Sequence, residues 1–180
     1  MIITRERAVE RYGSDYRIAK ELEAGRLHRV AHGYYSDRRH EDPYALAALR
    51  YPGATVTMDS AFFLHGLTDV IPERVHLATS RSATRISDPA VVQHFSEDRL
   101  LEAGRTHIER DGAHIPIYSR ERMLVELMRR SRSMPLDYYR EIMGSYRRIA
   151  DELDIREIED LIGLYERSGF MFDILQREVL

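Results

Sequence analysis

Cysteine is missing altogether from the 180 residues, which excludes disulfide cross-links, a thiolate nucleophile and any zinc site built on sulfur. Lysine is nearly missing too, with Lys20 standing alone beside 26 arginines. A nuclease core that sets acidic residues around a catalytic lysine therefore finds none beyond the N-terminal region. No apolar run approaches the roughly 20 residues that cross a bilayer. Residues 1–7 carry neither an apolar h-region nor a small-residue cleavage site, so a cytoplasmic location with no membrane partner is expected. None of the eight histidines falls in an HExxH pattern, and neither a phosphate-cradling glycine loop nor a Ser-His-Asp arrangement is present. The expectation is no catalytic residue, no metal and no cofactor.

What is there is the composition of a globular protein, 43% hydrophobic and 32% charged. The length suits one ordinary domain, or a small module of about 40 to 60 residues joined to a larger one. Charge favours the second division. Residues 1–40 hold nine basic against six acidic residues, giving +3, whereas residues 41–180 hold 18 against 24, giving −6. A basic head on an acidic body suits a nucleic-acid module attached to something else.

Local patterns support that division. Thr4 can cap a helix to Arg11 with Ala8, Val9 and Tyr12 on one stripe, and Gly13 ends it. Ser14 and Asp15 can cap a second helix, Tyr16 to Glu23, with Ile18 and Leu22 turned inward and Arg17, Lys20 and Glu21 outward. Gly25 stops it, and residues 27–30 and 33–36 alternate like two strands around a turn at Ala31-His32. Helix, tight turn, helix and hairpin are the plan of a minimal winged helix-turn-helix. A linker is expected over Asp37–Asp42, so the predicted domains are 1–40 and 41–180. In the second, a helix at Tyr44–Arg50, a strand at Thr55–Met58 and a helix Ala61–His65 capped by Ser60 are predicted, then strands at Arg74–Ala78 and Val91–Phe95. Asp111-Gly112 between two alternating runs predicts a β-hairpin. Beyond it, Met123, Leu124, Leu127 and Met128 mark one face of a helix over Arg120–Arg129. Pro135 starts another, and apolar residues from Ile149 to Leu164 keep helical spacing. The fold class expected is α+β: a small N-terminal winged helix-turn-helix, then a larger mixed domain ending in a helical segment.

Three stretches carry a family resemblance. Tyr12-Gly13-Ser14 opens the helix-turn-helix, and Gly25-Arg26-Leu27 and Gly33-Tyr34-Tyr35 frame the wing. Ser60-Ala61 through His65-Gly66-Leu67-Thr68 to Ile71-Pro72 is the second, and Tyr118 to Leu127 the third. In this order they resemble the AbiEi family of abortive-infection antitoxins, whose third segment usually has Thr and Asp where Met123 and Glu126 stand here. The resemblance implies a type IV antitoxin that represses its own promoter by binding double-stranded DNA through the winged helix. It further implies a nucleotidyltransferase toxin as functional partner, opposed without a stable complex.

In such a module the second helix can enter the major groove while the wing meets the adjacent backbone. Tyr16, Arg17 and Lys20 are the candidates on the helix, and Arg26, Arg29 and His32 those in or beside the wing. His65, behind Phe62-Phe63-Leu64, is expected to pack and to bond a nearby carbonyl rather than to catalyse. Gly13-Ser14 followed by Glu21 and Glu23 faintly resembles a nucleotidyltransferase signature, but carboxylates two apart on a helix point away from each other. An alternative reading makes the acidic domain a binder of a protein partner and the N-terminal unit a packing element.

Overall fold

Two glycines and two hydroxyls set the first turns of the chain. In this computed structural model, which describes residues 1–166 and 168–179, Thr4 Oγ1 accepts from Arg7 N at 3.5 Å and starts helix α1 (Arg5–Tyr12). Gly13 stops it in the left-handed region, φ +88, where a side chain would be strained. Ser14 Oγ accepts from Arg17 N at 3.3 Å and starts α2 (Asp15–Glu23). Past its end, Arg26 N and Leu27 N both donate to Glu21 O, a satisfied helix C-terminus of the kind that a left-handed glycine permits.

Strands β2 (His28–Ala31) and β3 (Tyr34–Ser36) form the expected hairpin. Its turn lies at His32-Gly33, one residue later than the sequence suggests, because the register slips between Arg29 and Ala31 and Gly33 takes φ +78. Leu27 precedes the hairpin and is buried. A strand that the sequence did not announce, β1 (Ile3–Thr4), pairs antiparallel with β3 and makes a sheet of order β1-β3-β2. Two residues are too few to show alternation, so only the pairing reveals it. Ile3, Ala8, Ile18, Leu27 and Tyr35 form the core, with Val9, Tyr12 and Leu22 packed against it.

The chain divides into two compact units, Met1–Arg50 and Tyr51–Leu180. Residues 37–42 are irregular, but the helix after them, α3 (Pro43–Arg50), belongs to the first unit, where Tyr34 Oη donates to Leu49 O. The division therefore falls after residue 50 instead of 40.

The second unit is built on a five-stranded sheet of order β6-β5-β4-β8-β7. Its strands are β4 (Thr55–Val56), β5 (Val75–Ser80), β6 (Val91–Ser96), β7 (Arg105–Arg110) and β8 (Ala113–Tyr118). Asp111 and Gly112 turn the β7-β8 hairpin at φ 50 and 75, the paired positive φ of a type I′ turn. The pairs β5-β6 and β4-β8 are parallel. Helix α4 (Met58–Leu64) begins at Met58, where a continued strand was expected. Ser60, expected as a cap, instead accepts from His76 N at 2.9 Å and so holds α4 to β5. After the short α5 (Asp98–Leu101) come α6 (Arg120–Arg129), α7 (Leu136–Arg148), α8 (Ile155–Gly163) and α9 (Gly169–Ile174). Ile149 and Leu153, expected in a helix, flank a 3-10 turn. Helix α6 is buried on every side from Arg122 to Met128, where the sequence marked only one apolar face. The protein is α+β.

Candidate nucleic-acid interface

Helix α2 is amphipathic by necessity: Ile18, 3% exposed, anchors it in the core of the first unit, and the positions between its inward residues must face water. Tyr16, Arg17 and Lys20 are all exposed, Tyr16 to 69%. Tyr16 and Lys20 are one turn apart, and Lys20 Nζ lies 5.1 Å from the centre of the Tyr16 ring, a cation–π pair that holds both on one face. A phenol and two cations thus stand together on the first two turns.

The acid in that region is neutralised. Asp15, in the first turn of α2, lies 2.5 Å from Arg5 Nη2, which removes a repulsive charge from the end of the helix that attracts anions. Neither Arg5 nor Asp15 was a sequence candidate, since residues ten apart on different helices share no local pattern. On the hairpin, Arg29 Nη2 lies 3.3 Å from His32 Nδ1. Arginine can only donate, so Nδ1 accepts and the ring proton sits on Nε2. Arg26 behaves differently: its Nε and Nη2 each donate to Glu21 at 2.8 Å. That hydrogen bonding and charge hold the Glu21 carboxyl below its usual range, and Arg26 serves as a clasp across the end of α2. The structure therefore brings Tyr16, Arg17 and Lys20 together, joins Arg29 to His32, and engages Arg26 elsewhere.

His65 behaves as a packing group. His65 Nε2 donates to Tyr118 O at 2.7 Å, the carbonyl bond that its apolar setting suggested, and burial lowers its pKa. His28 and His32 are four apart, but they lie on a hairpin and not on one helix face. Among the described residues no group of three His, Cys, Asp or Glu that could hold a metal occurs, and no helix is long and apolar enough to cross a membrane.

In the second unit His94 Nε2 lies 3.2 Å from His76 Nδ1. Burial, the neighbouring His76 and Arg130 push the His94 pKa down to about 4, and burial lowers that of His76. The unfolded chain takes up these protons near pH 6.5, while the folded one resists until about 4 at His94. Stability is therefore undiminished by this pair above pH 6.5 and falls as pH drops through the window below it. The loss at His94 should be about 1–2 kcal/mol once solvent screening is allowed for. Urea titrations at pH 7 and 4.5 should show it shrink in His94→Gln; an equal loss in that variant refutes the assignment.

Neither family profiles nor curated proteins match this chain. Among solved structures, the RV2827C protein from Mycobacterium tuberculosis is similar, with a TM-score of 0.64 and 16% identity over 96% of this chain and 71% of the other. At that identity the likeness is one of fold.

Proposed function

We propose that the protein is a DNA-binding antitoxin of the AbiEi type that represses its own promoter and opposes a nucleotidyltransferase toxin without forming a stable complex with it. The observation that carries this reading is the exposed face of α2, where Tyr16, Arg17 and Lys20 stand clear of Ile18 and the core. A helix so presented fits the major groove, about 12 Å wide, and the tip bearing Arg29 and His32 follows it in the chain to meet the backbone. The ordered YGS, HGL and IP motifs supply the antitoxin part of the proposal.

The test is a gel shift with the DNA upstream of the gene, over a range of salt. Arg17→Ala and Lys20→Ala should each weaken binding by about 1–3 kcal/mol where the side chain reads a base, or lower the salt slope by about one where it neutralises a phosphate. Arg26→Ala, whose partner is Glu21, should leave affinity nearly unchanged. Normal binding by both α2 variants refutes the assignment of that helix. Rescue of growth on co-expression with a nucleotidyltransferase toxin tests the antitoxin part.

A further inference from the structure

In the second unit three arginines gather around one carboxylate. Arg122, Arg129 and Arg130 converge on Glu126, at 3.0, 2.6 and 3.7 Å, as their one carboxylate among the described residues. Tyr165 Oη also donates to Glu126 Oε1 at 2.8 Å, which uses the carboxylate without adding negative charge. Three guanidinium groups around one carboxylate leave an excess of two positive charges; Arg122 is 1% exposed, while the Arg129 and Arg130 side chains are 38% and 34% exposed. Like charges held this close repel one another, and an added anion relieves that repulsion.

Two unmade hydrogen bonds lie in the same place. Arg122 Nε and Arg130 Nε are buried and have no hydrogen-bond partner among the described residues, and guanidinium N–H groups can only donate. Both arginines line a small space of about 30 Å³, together with Met58. Met58 takes φ +46, a strained conformation for a bulky residue that concentrates at functional sites. That space shares Phe95, Ser96, Glu126 and Arg129 with an open cleft of about 290 Å³. Phe95, in β6, is 50% exposed and lines both.

We propose that this cleft and the small space adjoining it bind a nucleoside monophosphate, its phosphate between Arg129 and Arg130 in the space and its base on the ring of Phe95 in the cleft. A phosphate monoester carries about −1.5 to −2 at neutral pH, which matches the excess charge, and three acceptor oxygens for the orphaned donors. An aromatic ring without a cover is a stacking platform for a base. At the same opening Glu97 lies 3.3 Å from Arg81 and 2.9 Å from Arg99, and Glu166 lines it too, so the two acids match the two arginines and leave no surplus charge there for a continuing polyphosphate or nucleic-acid strand. The proposal is separate from DNA binding by α2 and uses none of its residues.

Calorimetric titration of the full chain with AMP, GMP, CMP, UMP and inorganic phosphate tests it. At least one mononucleotide should bind about tenfold tighter than phosphate. Arg130→Gln should weaken that binding about tenfold, and Phe95→Ala should reduce the mononucleotide to the affinity of phosphate. The Arg130 side chain is 34% exposed and Phe95 is 50% exposed, so both variants should keep the melting temperature of the parent. No heat from any mononucleotide up to about 5 mM, equal affinity for phosphate, or unchanged binding in Arg130→Gln overturns the proposal. So does binding by a 5′-phosphorylated oligonucleotide alone. Because the promoter gel shift reads α2, failure of either proposal leaves the other standing.

Discussion

Replacement of Glu126 by glutamine should lower the unfolding free energy by about 3–5 kcal/mol, the loss typical of a buried ion pair deprived of one partner. The side chain is 7% exposed and accepts from Arg122, Arg129 and Tyr165. Burial alone would raise its pKa, yet Arg129 and Arg122 hold it lowered, so the carboxylate is the ionised centre of the group. Glutamine preserves its shape and removes its charge. Arg122, 1% exposed and stacked 4.9 Å from the Tyr118 ring, then has no carboxylate partner among the described residues. Urea denaturation should show a lower midpoint with an unchanged slope. The double variant Arg122→Met, Glu126→Leu should recover most of the loss, because apolar residues of similar volume often replace a buried pair without cost. A loss under about 1 kcal/mol for Glu126→Gln would mean that the pair is hydrated like one on the surface.

Gly104→Ala should be nearly as damaging. Gly104 takes φ +71, and a Cβ there would lie 2.5 Å from Arg122 Cβ and 3.1 Å from its Cγ. The clash is with the root of a side chain in a buried helix, so α6 itself must move. Strain of left-handed alanine costs about 1–3 kcal/mol and overpacking a similar amount, so a loss of about 2–6 kcal/mol is expected. Gly53→Ala, with nothing within 4 Å of the added carbon, is the control and should be nearly neutral. Equal melting temperatures for the two variants would refute the close approach of Gly104 to α6.

These residues separate what a linear reading can reach from what it cannot. Glu126 and Arg122 are four apart on one helix, a spacing that ordinarily describes an exposed surface pair. Only the layers packed around α6 put them inside. Ser60 has the residue type of a helix cap, yet its hydroxyl meets His76 N because β5 lies alongside α4. Arg26 has the charge of a wing contact, yet it reaches back over the end of α2 to Glu21, a spacing of five that no helical rule flags.

The sequence by itself determined the elements whose causes are local. Thr4, Gly13 and Ser14 bracket two helices through their own hydroxyls and backbone freedom, Asp111-Gly112 closes a hairpin, and Ile18 to Leu22 turns one face of α2 inward and leaves Tyr16, Arg17 and Lys20 in water. Only the tertiary structure decided the pairing of β1 with β3, the parallel neighbours β5 and β6, the place of α3 with the first unit and the excess of charge around Glu126. Caps, turns and helical faces depend on residues within about one turn of each other, and their energies are expressed wherever the segment lies. Strand neighbours and buried charges depend on residues distant in the chain, whose interaction exists only after packing has expelled the water between them.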